Sequence, residues 1–364
     1  MIKFYRVTPH SVLFFRDPRP FTAGEQALAR LQFPPRLAPF LGAIRTKYLE
    51  EKAGGKPISA LFPYIEDDLK QISIFWFSLL KNGTSLIPAP CDLITSWKKL
   101  DESRFVTERL EVNGKFENPK VPLLNPHKAE LFESAHYLTP QGFAKYQNGE
   151  LPSKGEYFSL DDLWEFENRV GIGLSYETKT TERSKFYRIT VARPKKDVGF
   201  LVGVEFGDSI ELPEIFDTTF TTRLGGEGHI AVWEKVNDAK LTNGSPHFRE
   251  VVALTHVPIK SNKQGSEYGF EIQNWCINKL DAVGGWDYKE RRPKHLVRAL
   301  EPGAVLIVQK GNALPSETYG IKFGNHGSIT IVKNLVISIN GNKPYLVDSR
   351  PKLGDPDILL VIKN

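Results

Sequence analysis

Apolar segments of strand length recur along this chain, and they do not alternate with helices in the regular order that a doubly wound parallel sheet requires. Residues 2–15 alternate polar and apolar side chains, as one bent strand or two short ones. QISIFWFSLL and TSLIPAPCDLI, joined by KNG, read as a β-pair, and VGFLVGVEF as a further strand. SYETKTTERSKFYRITVAR reads as a long hairpin, about residues 175–193, with Thr, Glu and Ser at its tip. From Pro35 the period changes. Leu37, Phe40, Leu41, Ile44 and Tyr48 fall on one helical face, Arg45 and Lys47 lie off it, and Pro39 is tolerated in the first turn. A charged stretch, about 97–165, reads as an insertion with short helices in PLLNPHKAELFES and TPQGFAKYQNG, and LPEIFDTTFTTRL reads as a short helix.

After the polar linker NDAKLTNGSPH a second set begins: REVVALTHVPI, a helical piece around FEIQNWCINKL, then GAVLIVQK, GSITIV and LVISI. The expected fold class is therefore α+β in two domains, 1–241 and 242–364, each an antiparallel sheet covered by helices. A chain of 364 residues is long for a single core, which agrees.

The N-terminal MIKFYRVTPHSVLFFRDPR has no continuous apolar region of the signal-peptide kind, and no apolar run approaches the roughly 20 residues of a membrane span. Cys91 and Cys276 cannot build a disulfide framework and lack CxxC spacing. The expectation is a soluble, cytoplasmic chain with no membrane partner, no cofactor and no structural zinc. None of the eight histidines is paired as HExxH, HxH or HD, so no metal site is expected, and neither a GxSxG elbow nor a kinase set is present.

The stretch TTRLGGEGHIAVWE places Gly225, Gly226 and Gly228 around Glu227, just before a β-like run. Such glycines suit a phosphate cradle, a surface that touches a longer polymer, or a plain turn. The order fits neither GxxxxGK[ST] nor a GxGxxG between strand and helix, which disfavours a mononucleotide site. Alternation puts Ile230, Val232 and Val236 on a core face and His229, Ala231, Trp233 and Lys235 on the other. That second set reads as a stacking and charge surface, unless Trp233 packs under a helix. His229 is either a surface contact or the general acid or base of a metal-independent RNA cleavage through a 2′-hydroxyl. Glu227 is read as capping the turn or pairing with Arg223.

A net charge of +5 permits a nucleic-acid partner without demanding one, so the placement of the basic residues decides. Three constellations stand out. Arg16, Arg19, Arg30, Arg36, Arg45 and Lys47 are interleaved with Phe15 and Phe21. The hairpin carries Lys179, Arg183, Lys185, Arg188 and Arg193. In GGWDYKERRPKHLVR, Trp286 and Tyr288 stand beside Lys289, Arg291, Arg292, Lys294, His295 and Arg298. Cations on phosphates with rings under bases is how single strands are commonly held.

FRDPRPFTAGEQ, FPPRLAPFLGAIRTKYL, ENRVGIGLSYETKTTERSKFYRITVAR, TRLGGEGHIAVWE and GGWDYKERRPKHLVRALEPGAVLIVQK occur here in the order of one family. The chain resembles, from about residue 4 to residue 332, the third-subunit family of the Cmr complex, the type III-B CRISPR effector, within the RAMP superfamily. The resemblance implies two ferredoxin-like, RRM-related domains with a glycine-rich loop and a protruding β-hairpin. It implies a non-catalytic antiviral subunit that caps the 5′ handle of the crRNA and meets target RNA near the boundary between handle and guide. The implied protein partners are the large polymerase-like subunit and the backbone subunit. Carried onto this chain, Gly225, Gly226, Glu227 and Gly228 form the loop, Arg16 and Arg19 lie in FRDxRPF, Arg45 in the GAIR helix, and about 175–193 is a thumb. The superfamily's C-terminal GFG-type loop is matched here only by IKFGNHGSITIV, with Asn325 and His326 in its place.

Overall fold

The structure, a computed structural model, describes residues 1–17, 28–96, 106–109, 136–236, 240–242, 250–260, 272–277, 279–287, 292–308, 318–322, 328–333, 335–340, 343–348 and 359–363. The segment PLLNPHKAELFES, Arg19, Phe21, Asn325 and His326 lie outside the described residues.

The amino-terminal part is built on an eight-stranded sheet with the order β12-β13-β1-β11-β3-β4-β7-β8. Its strands are β1 (Ile2–Pro9), β3 (Ile72–Lys81), β4 (Thr84–Pro88), β7 (His136–Leu138), β8 (Tyr157–Ser159), β11 (Val198–Phe206), β12 (Thr219–Arg223) and β13 (Ile230–Val236). β3 and β4 meet through Asn82 and Gly83, both with positive φ, which is the two-residue turn whose twist suits a hairpin. All central pairs are antiparallel. Residues 136–159, within the stretch read as an insertion, extend this sheet through β7 and β8. β5 (Leu93–Ser96) and β6 (Val106–Arg109) form a separate pair.

Helix α1 (Leu37–Ala53) buries Leu37, Phe40, Leu41, Ile44 and Tyr48, the five residues that define its apolar face, and ends at Gly54 in the left-handed region. Phe40 is the keystone of this packing. Its ring sits 4.9 Å from both Phe77 of β3 and Phe200 of β11 and 6.3 Å from Trp233 of β13. Helix α2 (Ile58–Lys70) lies beside α1 and was not evident from the sequence, because Pro63 interrupts its pattern. The remaining helices are α3 (Pro140–Gln147), capped by Thr139, and α4 (Leu160–Leu163), capped by Ser159.

LPEIFDTTFTTRL is one 3-10 turn, Glu214–Asp217, followed by β12. The run of threonines favours extended backbone over helix. The turn is pinned from below: the Tyr5 hydroxyl donates to the Phe216 carbonyl at 2.9 Å, and buried Lys3 meets Asp217 at 2.6 Å.

A three-stranded sheet stands against this part, with β10 (Thr181–Pro194) between β2 (Leu28–Ala29) and β9 (Trp164–Leu174). The carboxy-terminal part holds a seven-stranded and a five-stranded sheet. FEIQNWCINKL is not helical there: Ile272–Cys276 is an edge strand paired with Val305–Val308 across a register shift. Among the described residues no α-helix follows Leu163, so none of the helical cover expected over the second set of sheets is seen in them. The two parts share one core, in which Val252, Leu254 and Val305 join the residues of β1, β3 and β11.

Candidate nucleic-acid interface

The glycine loop connects two antiparallel strands, so no helix N-terminus stands behind it to receive a phosphate. It closes where the Leu224 amide donates to the His229 carbonyl at 2.8 Å. Gly225, Glu227 and Gly228 have φ of 78°, 58° and 71°. Gly225 is needed twice, for its φ and because a Cβ would come within 2.5 Å of the Phe14 carbonyl oxygen. The Gly226 amide donates to that same oxygen at 2.7 Å. Gly228 has nothing within 4 Å of a built Cβ, so bare backbone faces outward there. Glu227 is exposed and, among the described residues, makes no hydrogen bond or ion pair, with Arg223 or otherwise.

β13 has the opposite phase to the one read from alternation. Ala231 and Trp233 are fully buried, whereas Ile230 is 47% exposed. Trp233 stacks on Phe220 at 5.9 Å and donates its Nε1 to Thr222 Oγ1 at 2.8 Å, under Phe40 of α1. It is a core residue. Phe15 is likewise buried, stacked on Phe40 at 6.1 Å. Neither ring is open to a base.

The hairpin is longer than its sequence signature. β9 begins at Trp164, the pairing runs to Pro194, and the turn occupies 175–180. At its tip Lys179 lies 4.4 Å over the ring of Tyr176, which is 89% exposed. Arg183 and Lys185 lie on β10, and nothing of their side chains is described. At the base, Leu13 and Ala192 exchange two backbone bonds of 2.8 Å, so residues 12–16 are held between hairpin and glycine loop.

His229 is half-buried. Burial pushes its pKa below 6.5, Arg169 of β9 pushes the same way, and Glu227 opposes. Arg169 has no signal in the sequence pattern, because ENRVGIGL precedes the turn chemistry that marks the hairpin at 175–193. It shares Glu167 with Arg193, and hydrogen bonds from those two, Arg193 first, hold that carboxyl down to about 2. An open groove of about 730 Å³ adjoins this region, with Arg6, His10, Arg193 and Lys195 facing Asp197 and Glu234.

The other basic residues divide. Arg16 is exposed, pairs its backbone with Leu31, and precedes Asp17, whose amide binds the Arg30 carbonyl at 3.0 Å. Arg45 is partly buried and donates to the Ile72 carbonyl at 2.8 Å, and Lys47 pairs with Glu51 at 2.7 Å. Both serve the packing of α1. Arg36, at the start of α1, donates to the carbonyls of Ala282 and Gly284 in the carboxy-terminal part. Ala282 lies opposite Arg298, which is exposed, and the Lys294 amide donates to the Gly285 carbonyl at 2.9 Å. Trp286 pairs with Pro293 in a short ladder, and its ring is outside the described residues. Among the described residues no group of three or more His, Cys, Asp or Glu could hold a metal, and no helix is long and apolar enough to cross a membrane.

A mostly antiparallel α+β chain with few helices, a glycine-rich loop anchored on Phe14 just after the first strand, and a long hairpin is consistent with a RAMP-like fold. The chain belongs to the family described as CRISPR-associated protein (Cas_Cmr3), whose sequence model matches residues 5–319. It is similar in fold to a chain of the type III-B Cmr-β complex bound to cognate target RNA, solved by cryo-EM, with TM-score 0.51, 16% identity, and coverage of 84% of this chain and 86% of that one. A chain of the type III-B Cmr-β complex bound to cognate target RNA and AMPPnP, in state 1, gives TM-score 0.52 and 17% identity over 84% of this chain and 86% of that one. No curated protein shows significant sequence similarity.

Proposed function

We propose that the chain is a non-catalytic, cytoplasmic RNA-binding subunit of a type III-B CRISPR effector. In this reading it caps the 5′ handle of the crRNA, meets target RNA at the boundary between handle and guide, and sits beside the large polymerase-like and backbone subunits. The supporting observation is a continuous run of contacts that joins the three basic constellations. The glycine loop rests on Phe14, Leu13 holds the hairpin base, and Arg169 of that hairpin stands by His229. On the other side Arg16 pairs with Leu31 and the Gln32 amide binds the Phe15 carbonyl, a few residues before Arg36, which grips the segment next to Lys294 and Arg298. Backbone amides, cations and a projecting Tyr176 suit a single strand held by its phosphates. Binding of target RNA by the similar Cmr-β complex agrees.

With β1, β3, β11 and β13 counted one to four in chain order, they lie side by side in the sheet as four, one, three, two, which supports a ferredoxin-like reading of the amino-terminal part with its second helix reduced to the 3-10 turn. The same reading of residues 242–364 rests on the family.

The test is handle-RNA affinity of the assembled effector against salt. Arg16→Ala with Arg298→Ala is expected to weaken binding and to flatten the log–log slope by about 1.4, at roughly 0.7 per phosphate for a single strand. An unchanged slope removes these residues from the interface. The rival is a metal-independent endoribonuclease that matures crRNA with His229 as acid or base. A neutral imidazole suits a base, yet among the described residues the His229 ring makes no hydrogen bond that would orient it. Cleavage of repeat RNA in EDTA, lost in His229→Ala, would establish the rival.

A further inference from the structure

Arg36 immediately precedes α1 and keeps extended backbone, with ψ of 167°. Nη1 donates to the Gly284 carbonyl at 3.1 Å, 248 residues away, and Nη2 donates to the Ala282 carbonyl. Nε is buried and has no partner among the described residues. Burial lowers the Arg36 pKa to about 10, while Asp281 and Asp17 raise it, so the guanidinium is charged at neutral pH. Asp281 is held by His256 Nε2 at 3.0 Å and Lys279 Nζ at 3.7 Å.

Ala282 lies in the strand Leu280–Val283, which pairs with Val297–Leu300, the strand that carries Arg298, and Gly284 directly follows it. Ala282 stands opposite Arg298, and Gly285, next to Gly284, accepts the Lys294 amide. The Arg16 segment is tied to the chain just ahead of Arg36, where Arg16 pairs with Leu31 and the Gln32 amide donates to the Phe15 carbonyl at 2.7 Å. A forked donor spent on two carbonyls is a rigid link, which a flexible ammonium would not reproduce.

We propose that Arg36 is a positioning residue that holds Lys294 and Arg298 of the carboxy-terminal part in register with Arg16 and the glycine loop, so that one RNA strand meets both halves together. Its role is to position and not to read RNA, since both terminal nitrogens are engaged by protein carbonyls. The inference rests on the RNA-binding reading above, and it adds a dependence between halves that the reading alone does not contain.

A double-mutant cycle tests it, with the full chain assembled into its effector and RNA carrying the 5′ handle as probe. Arg298→Gln is expected to weaken handle binding about tenfold in the wild-type background, equal to roughly 1.4 kcal/mol, and less than twofold with Arg36→Gln. Hydrogen exchange of the full chain supplies the second readout. Arg36→Gln should speed exchange at 280–285 and 294–298 while the interior of α1 stays protected. Arg36→Lys, which keeps the charge and loses the fork, should show the same coupling in weaker form and serves if the glutamine variant does not fold. Additive losses, or unchanged exchange, overturn the positioning role. Faster exchange with no handle affinity in the wild type overturns the RNA reading instead and leaves Arg36 as a structural link.

Discussion

The carbonyl oxygen of Phe14 accepts the amide of Gly226 at 2.7 Å, and a Cβ on Gly225 would meet that same oxygen at 2.5 Å. The loop is thus a surface held against the segment that carries Arg16. Gly225→Ala collides with backbone that cannot yield and forces an alanine into positive φ, for an expected loss of about 2–3 kcal/mol in urea unfolding. Gly228→Ala meets only the φ penalty, so about 1 kcal/mol is expected. Equal losses would show that the approach to Phe14 does not shape the loop.

Asp217 ties two lysines, Lys3 and Lys235, each at 2.6 Å. Lys3 is 5% exposed in its side chain, so Asp217→Asn leaves a buried ammonium without its anion. The expected cost is near the lower end of roughly 3–5 kcal/mol, because Asp217 itself is half exposed. Hydrogen bonds from Lys235, then Lys3, depress the Asp217 pKa. A depressed carboxylate contributes stability above its unfolded pKa of about 3.9 and loses it as pH falls through the folded value. Asp217→Asn should therefore flatten the acid limb of the stability curve as well as lower its plateau.

Burial and then Arg169 keep the His229 imidazole neutral below its ordinary pKa. Arg169→Gln should raise its midpoint toward 6.5, and Glu227→Gln should lower it, both read from imidazole shifts by NMR. The folded pKa is lowered, so the contribution of His229 to stability is full above about 6.5 and fades as pH falls through the folded value. A midpoint unmoved by Arg169→Gln would separate the hairpin base from the loop.

Trp233 and Tyr176 make opposite predictions. Trp233→Ala removes a fully buried ring stacked on Phe220 and should cost about 3–5 kcal/mol of stability. Tyr176→Ala should leave stability within about 0.5 kcal/mol and weaken handle RNA about tenfold, within the roughly 1–3 kcal/mol of one stacked base. A stability loss at Tyr176 would mean that the tip is packed in the protein.

What could be read from residues alone was local. Five apolar side chains at helical spacing define α1, and Asn82–Gly83 defines the β3–β4 turn, because each signal lies within a few residues. The turn chemistry marks the hairpin, yet β9 starts eleven residues before Ser175, because the glycines between Val170, Ile172 and Leu174 weaken the strand signal of ENRVGIGL. The phase of β13 depends on Tyr5, Phe40 and Phe220, which reach Trp233 only through the folded sheet. Arg45 looked like Arg16 in sequence, and only the neighbouring carbonyl of Ile72 separates them. The bond from Arg36 to Gly284 has no local signal at all.

Crosslinking of crRNA to this chain inside the assembled effector tests the central claim most directly. The account predicts crosslinks from 5′-handle nucleotides to residues 224–230, to the segment around Arg16 and to 294–298. Handle crosslinks confined to other subunits, with none on this chain, would contradict it.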